Sequence, residues 1–215
     1  MPMKSDREYR NINVEELETR NVEDGRMVVE GYATTFNMPY RLCGDEKITV
    51  NEQIDRGAFA ETDMSDVIMQ YDHQGRVFAR MSNGTLQLSQ DDHGLKILAD
   101  LGGTEIGRQL FEEIRGGYTN KMSFGFTVPE GGDVRTRSKG EDGHITILRT
   151  ITKIGKLYDV SAVSLPANDA TEISSRTISD GLIAEAQEEI RAEEERQRRI
   201  GEIRKLLRGE QTDDE

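Results

Sequence analysis

The chain has 215 residues, of which 32% are charged and 34% hydrophobic, and its formal net charge is −13. This acidic balance argues against a general binder of nucleic acid or anionic membranes, because such surfaces need an excess of Lys and Arg. No apolar run approaches the roughly 20 residues that span a bilayer, and the charged N-terminus does not resemble a signal peptide. The single cysteine, Cys43, permits no internal disulfide, so we expect the protein to reside in a reducing cytoplasm.

The first part of the chain changes from charged to β-rich. Residues 1–25 are mostly charged, and we expect them to form a flexible N-terminal arm. Aromatic and β-branched residues then gather in short runs. These runs predict strands at residues 27–36, 48–54 and 67–73.

A hairpin and a helix are predicted next. The alternating runs 84–88 and 95–101 flank the turn-forming sequence Asp-Asp-His-Gly, which is typical of a hairpin. Residues 104–115 carry apolar side chains at every fourth position and predict a helix. Thr104 is suited to cap its N-terminus, and Gly116-Gly117 ends it.

The second half of the domain is also rich in strands. Residues 119–128, 144–154 and 157–165 predict strands, whereas the Gly-rich, charged residues 130–143 predict a mobile surface loop. Many short strands around few helices indicate a mainly β fold with a few helices (α+β). The pattern favours a barrel or a sandwich over a parallel α/β sheet.

The C-terminal part has a different character. Residues 176–208 predict a charged helical extension, with Glu194 and Arg198 forming an i,i+4 pair of the favoured polarity. Its apolar stripe is thin, so the pattern is compatible both with a solvated helix and with a helix that binds a partner or a second copy of the chain. Residues 209–215 predict a disordered tail, which leaves residues 26–175 as the folded domain.

The sequence Lys-Met-Ser-Phe-Gly-Phe at residues 121–126 is central to a functional interpretation. As a strand, it places its three large apolar residues on one face and Ser123 and Gly125 on the other. A glycine weakens a strand unless something approaches the backbone closely. A nucleophilic serine with a peptide substrate needs such room, although an ordinary strand with a polar outer face is also consistent with this pattern.

The three histidines differ in their surroundings. His93 and His144 lie in Asp-rich turns, where exposed turn residues are common. Neither has a Cys or His neighbour at metal-ligand spacing, so we predict no metal site. His73 ends an apolar strand, from which its side chain can reach a cleft while the backbone stays anchored. A purely structural role is equally compatible with that position.

Asp159 lies in the middle of an apolar strand, where a carboxylate is costly unless it is paired. A histidine N–H would provide a partner. Ser123, His73 and Asp159 together supply a nucleophile, a base and an orienting carboxylate, which is the minimum for acyl transfer. Their spacing in the sequence does not show that the three side chains meet.

Five short motifs, in order over residues 27–175, give the chain a resemblance to a known family. They include Glu-Gly-Tyr-Ala at 30–33, Arg-Gly-Ala-Phe at 56–59, Tyr-Asp-His at 71–73, the 121–126 sequence, and Leu-Tyr-Asp-Val-Ser at 157–161. The chain resembles the prohead (capsid maturation) serine proteases of tailed bacteriophages, which are related to the herpesvirus assemblins. The resemblance implies an assemblin-like β-barrel and a prohead protease domain over residues 26–175.

The resemblance also implies roles for individual residues. His73 would be the general base, Ser123 the nucleophile and Asp159 the residue that orients the histidine, although many relatives carry glutamate at that last position. The assemblins use a second histidine instead, for which His144 is the candidate here. No metal and no organic cofactor are implied.

These expectations describe a capsid maturation endopeptidase. It would cleave the scaffold or the coat protein's scaffolding segment, and then itself, inside the procapsid. The partners would be the major capsid protein or scaffold and a second copy of the chain, without nucleic acid or membrane. The location would be the host cytoplasm, within the viral procapsid, and the substrate would lie extended beside the Ser123 strand.

Two alternatives remain at this point. The chain is alternatively a non-enzymatic scaffolding or adaptor protein that organises capsid assembly through its C-terminal helix. A cysteine protease that uses Cys43 would require this thiol to lie close to His73. The charged helix and the N-terminal arm are candidates for a tether to the scaffold or for sites of self-cleavage.

Overall fold

The computed structural model describes residues 7–12, 17–21, 26–163 and 173–207. Over these residues the chain is mainly β, with two α-helices. In chain order, the elements are β1 (Glu8–Ile12), β2 (Glu18–Asn21), β3 (Met27–Thr35), β4 (Tyr40–Gly44), β5 (Ile48–Ile54), β6 (Ile68–Tyr71), β7 (Gln74–Arg80), a 3-10 turn (Met81–Asn83), β8 (Leu86–Gln90), β9 (Gly94–Asp100), α1 (Glu105–Arg115), β10 (Lys121–Thr127), β11 (Asp133–Lys139), β12 (Ile145–Ile151), β13 (Lys156–Val163) and α2 (Ile173–Leu207).

The strands form three sheets. The central sheet has the order β1-β10-β13-β6-β7, the second sheet β11-β12-β5-β4, and the third sheet β2-β3-β9-β8. Neighbouring strands are antiparallel except in the pairs β13–β6 and β12–β5, which are parallel. The expected mainly β class is confirmed. Within the described residues no sheet closes on itself, so the expected barrel is corrected to three open sheets.

One apolar core joins the three sheets and α1. Val29 of the third sheet, Ile54 of the second and Phe124 of the central sheet belong to the same buried cluster, together with Phe111 of α1. The strands of the second sheet show why: in β5 and β12 every second side chain is buried. This alternation turns one face of a strand toward the core and the other toward solvent.

Helix α1 confirms the prediction made from its periodicity. The hydroxyl of Thr104 accepts a hydrogen bond from the Gly107 backbone N–H at 3.0 Å and caps the N-terminus. Leu110, Phe111 and Ile114 are buried on the inner side of the helix. The side chains that predicted the helix are thus those that attach it to the core.

Helix α2 is part of the folded domain in its first half and exposed in its second. Leu182 and Ala186 are buried against Ile48 and Ile147 of the second sheet. The domain boundary expected between residues 175 and 176 falls inside this helix, whereas the tail expected at 209–215 lies outside the described residues. Among the described helices, none has a stretch that is both long and apolar enough to cross a membrane.

The flexible arm expected over residues 1–25 requires a correction. Glu8–Ile12 pairs with β10 in the central sheet, and Glu18–Asn21 pairs with β3 in the third sheet. The prediction of a mobile loop over residues 130–143 is also wrong, because Asp133–Lys139 pairs with β12 along its whole length. Residues 1–6, 13–16 and 22–25 lie outside the part that the structure describes.

A buried group of charges fixes β1 to the second sheet. This ionic cluster consists of Glu8, Arg10, Glu52 and Arg149, all at most 4% exposed. Arg10 Nη2 donates to Glu52 at 3.0 Å, and Arg149 Nη1 donates to Glu52 and Glu8 at 2.7 and 2.8 Å. Each carboxylate thus faces two guanidinium groups, which compensates for its removal from water.

The ionic cluster shifts the pKa values of Glu52, Arg10 and Arg149. Burial on its own raises the pKa of Glu52, but Arg10 and Arg149 outweigh burial and hold that pKa below its usual value. Burial lowers the pKa of Arg10, but the carboxylates of Glu52 and Glu8 raise it by more. Burial and the charge of Glu52 both raise the pKa of Tyr40, whose hydroxyl donates to Glu52 at 2.5 Å. Glu52, Arg10 and Arg149 are therefore all charged at neutral pH.

Candidate active site

His73 lies in the two-residue turn between β6 and β7. Tyr71 pairs with Gln74 across this hairpin, and Asp72 and His73 have φ values of +47° and +57°. Positive φ at both central positions is the backbone of a type I′ turn, which glycine and asparagine usually occupy. A histidine there is strained, and such strain persists where the surroundings impose it. The turn directs His73 toward the neighbouring strands.

The hairpin turn is held by strand β13. The backbone N–H of Asp72 donates to the Ala162 carbonyl at 3.1 Å. The backbone N–H of His73 donates to the hydroxyl of Ser161 at 3.3 Å. These two bonds fix the backbone from which the His73 imidazole extends.

Ser123 lies on β10, between β1 and β13. The large apolar residues Met122, Phe124 and Phe126 are buried in the core, as the strand pattern predicted. Ser123 faces the other way and lies opposite Ser161 of β13. It has 0% exposure, so the hydroxyl is covered by protein in this conformation.

Asp159 lies on β13, opposite Gly125 of β10, and is 1% exposed. A Cβ atom at residue 125 would lie 2.5 Å from Asp159 Oδ1 and 2.8 Å from Tyr9 Cε1. The absence of a side chain at Gly125 therefore admits Asp159 and Tyr9. The expectation of space for a substrate beside the Ser123 strand is corrected, because both edges of β10 are also paired.

The structure brings Ser123, His73 and Asp159 into one hydrogen-bonded chain. The imidazole of His73 meets the Ser123 hydroxyl through Nε2 and Asp159 Oδ2 through Nδ1. These are the contacts that let a histidine take a proton from a serine while a carboxylate holds the ring. Because Nδ1 is engaged by the Asp159 carboxylate, Nε2 is the ring nitrogen that is free to accept the proton of Ser123.

Ser161 is a fourth polar residue of this group, and it was not among the site residues predicted from the sequence. Its hydroxyl donates to Asp159 Oδ2 at 3.0 Å and lies 3.2 Å from His73 Nδ1. Ser161 shares a strand face with Asp159, two residues away, and that spacing was the available signal. We call Ser123, His73, Asp159 and Ser161 the active-site cluster.

The other candidate residues lie elsewhere. His144 precedes β12 of the second sheet, where its Nε2 lies 3.0 Å from the Thr49 hydroxyl and its Nδ1 lies 3.1 Å from the Glu46 carbonyl. Asp159, rather than His144, contacts His73. Cys43 belongs to β4 and packs beside the apolar cluster under α2. His73 and Cys43 thus belong to different sheets, against the cysteine protease alternative.

No group of three or more His, Cys, Asp or Glu side chains suited to a metal ion occurs in the described ranges. The chemistry that the active-site cluster offers is that of a hydroxyl nucleophile activated by an imidazole. Such a cluster performs acyl transfer on unrelated folds, so geometry and not fold indicates the reaction.

Comparison with known protein families adds an independent finding. The family model described as caudovirus prohead serine protease matches residues 15–183. The chain belongs to this family. The matched range contains all three members of the hydrogen-bonded chain, while β1 lies before it and residues 184–207 of α2 lie after it.

A comparison of structures finds the capsid assembly protease of bacteriophage T4. The TM-score is 0.42 and the sequence identity 11%, over 73% of this chain and 96% of that chain. Comparison with curated protein sequences gave no match.

Membership of the prohead serine protease family decides between the broad alternatives. The chain is a capsid maturation protease of the serine type. The alternative of a non-enzymatic scaffolding or adaptor protein is therefore set aside, and so is a thiol mechanism at Cys43.

Proposed function

We propose that the chain is an endopeptidase in which Ser123 is the nucleophile, His73 the general base and Asp159 the residue that orients and stabilises the imidazole. The observation that carries this proposal is the pair of contacts on His73, with Ser123 at Nε2 and Asp159 at Nδ1. The family match supports the reaction class, and the geometry supports the assignment of residues.

The first half of the reaction forms an acyl-enzyme. His73 Nε2 takes the proton from Ser123 as Oγ attacks the carbonyl carbon of the scissile peptide bond. The tetrahedral intermediate collapses when the C–N bond breaks, and His73 gives its proton to the leaving amine. Asp159 stabilises the imidazolium that exists between these two transfers.

The second half returns the enzyme to its starting state. A water molecule enters where the amine has left, and His73 takes a proton from it as its oxygen attacks the acyl carbon. The ester bond to Ser123 then breaks, and the proton passes from His73 back to Oγ. No cofactor takes part in any of these steps.

For the substrate, we propose the coat protein's scaffolding segment or a separate scaffold protein, and the enzyme itself, inside the procapsid. The second half of α2 supports a role in tethering or self-cleavage, because most of its described side chains after Ile190 are exposed. A chain that lacks residues 191–215 is expected to be packaged poorly if the helix is a tether. Packaging at full efficiency would contradict the tether.

The test of the site is co-expression with the cognate major capsid protein, read by intact mass. The wild type is expected to yield a trimmed coat or scaffold protein, whereas Ser123→Ala leaves both proteins at full length. Ser89→Ala, which removes an exposed hydroxyl on β8, is the matched control and should process normally. Normal processing by Ser123→Ala would show that the site assignment is wrong.

A further inference from the structure

We propose that β1 completes the active site and that Tyr9 and Arg7 are positioning residues for the His73–Asp159 pair. The inference rests on the proposed function, because it assigns partners to the base and the carboxylate of that site. It starts from the register of β1 on β10, in which Tyr9 lies opposite Gly125. Residues opposite each other in an antiparallel pair share a face of the sheet, so Tyr9 lies on the face that carries the active-site cluster.

Tyr9 packs directly against the imidazole. The centres of the Tyr9 and His73 rings are 4.4 Å apart, with an angle of 56° between the ring planes. A ring at this distance restricts rotation of the imidazole about its bond to Cβ. Gly125 makes the contact possible, because a Cβ there would lie 2.8 Å from Tyr9 Cε1. Tyr9 therefore keeps the imidazole aligned between its two partners.

Arg7 faces the other oxygen of Asp159. Its Nη1 lies 3.7 Å from Asp159 Oδ1, an oxygen that is buried and accepts no hydrogen bond from the described residues. The guanidinium group lies over the Tyr158 ring at 3.8 Å and donates to the Tyr9 hydroxyl at 3.3 Å. The positive charge attracts Asp159 Oδ1, and stacking on Tyr158 fixes the guanidinium group, so that Oδ2 of the carboxylate remains directed at His73.

The opposite face of β1 shows that this strand is a fixed part of the enzyme. Glu8 and Arg10, on either side of Tyr9, belong to the ionic cluster with Glu52 and Arg149. Removing β1 would take Arg10 away from Glu52 and Glu8 away from Arg149, and a buried charge that loses a partner is unfavourable. We therefore treat β1 as a permanent strand of the active site and not as a segment that the substrate displaces. It also lies before residue 15, where the family match begins.

The experiment measures how fast an alkyl fluorophosphonate labels the full-length protein, a reaction in which Ser123 Oγ displaces fluoride from phosphorus. This probe requires no knowledge of the peptide substrate. Tyr9→Ala and Arg7→Ala are expected to slow labelling by about 10- to 100-fold, because small displacements of a catalytic group have effects of this size. Tyr9→Phe, which keeps the ring, and Arg7→Lys, which keeps the charge, should recover most of the rate.

Controls separate positioning from folding and from the proposed function. Tyr118→Ala removes a tyrosine that is 79% exposed and should label at the wild-type rate. Each variant is first shown to be folded by circular dichroism at the assay temperature. Labelling of Ser123→Ala at the wild-type rate would overturn the proposed function itself.

If Ser123→Ala is not labelled but Tyr9→Ala and Arg7→Ala react like the wild type, this inference alone is overturned. Faster labelling of a folded chain without residues 1–12 would also overturn it, because β1 would then be an inhibitor. If Tyr9→Phe labels as slowly as Tyr9→Ala, the hydroxyl of Tyr9 and not its ring is the important group. That result would contradict the ring-packing argument.

Discussion

Strand β1 lies between two polar clusters that are built differently. One of its faces carries Glu8 and Arg10 of the ionic cluster, and the other face packs against the active-site cluster through Tyr9. In the ionic cluster, Glu8 and Glu52 each bind both Arg10 and Arg149. In the active-site cluster, one carboxylate oxygen of Asp159 accepts no hydrogen bond within the described part of the chain. The histidine there has a left-handed backbone that costs free energy.

The difference shows how a structural and a reactive polar cluster can be told apart. A cluster that holds two sheets together gains from complete pairing, since every unpaired buried charge destabilises the fold. A cluster that must exchange protons keeps strained and incompletely paired groups, which the surrounding fold stabilises. Substitutions in the two clusters should therefore affect different quantities, activity in one and stability in the other.

The largest expected effect is on activity. Asp159→Asn keeps the shape of the side chain but removes the charge that stabilises the imidazolium and selects its tautomer. We expect the fluorophosphonate labelling rate to fall by about 1,000- to 10,000-fold, while the melting temperature changes little. His144→Ala is the matched test of the alternative third member and should label normally. A rate that falls for His144→Ala and not for Asp159→Asn would reverse the assignment.

The opposite result is expected in the ionic cluster. Glu52→Ala leaves Arg10 and Arg149 short of a buried partner and should lower the free energy of unfolding by about 3–5 kcal/mol. Denaturant unfolding measures this loss, and labelling of the protein that remains folded should be preserved. Glu61→Ala is the control, because Glu61 pairs with Lys153 at the surface. Equal losses for the two variants would contradict a special role for the buried cluster.

The pH dependence of stability follows from the same residue. The pKa of Glu52 is lower in the folded protein than the value of about 4.3 in an unfolded chain. The stabilisation is therefore fully present above pH 4.3 or so and is lost as the pH falls through the lower, folded-state pKa. Denaturant titrations from about pH 6 to pH 3 should show a steeper loss for the wild type than for Glu52→Gln. Parallel curves would indicate that other carboxylates cause acid unfolding.

A smaller effect is expected where the active-site cluster touches β1. Gly125→Ala places a Cβ against Asp159 Oδ1 and the Tyr9 ring, and overpacking of this kind costs about 1–3 kcal/mol. Because the clash displaces both groups, labelling should slow as well. Gly103→Ala is the matched control, since a Cβ there meets no atom within 4 Å. A Gly125→Ala enzyme with wild-type rate and stability would disprove the close packing.

Much of the candidate site was predictable because its residues are unusual in their local sequence. Ser123 stands on a strand whose other face is large and apolar, and Asp159 lies in an apolar strand. Each pattern had an ordinary explanation, and the family motifs were needed to connect the residues. The helix α1 and the hairpin of β8 and β9 were predictable because caps, periods and turn residues are local signals.

The two corrected segments lacked such local signals. The sequence of β1, Glu-Tyr-Arg-Asn-Ile, has the charges of a solvated arm, because the partners that neutralise it, Glu52 and Arg149, are far away in the chain. The sequence of β11 is polar because the strand is largely exposed at the edge of its sheet. Short strands in series also give the same pattern for a barrel and for three packed sheets, so the expected barrel had no distinguishing signal.

The attachment of β1 has a consequence for the self-cleavage proposed above. A cut between residues 12 and 17 would turn one chain into two, joined by a strand ladder and by ion pairs. A synthetic peptide of residues 1–14 should then restore labelling to a chain that begins at residue 15, in proportion to its concentration. Inside a crowded shell the two pieces would stay together, whereas dilution after release would separate them and end proteolysis.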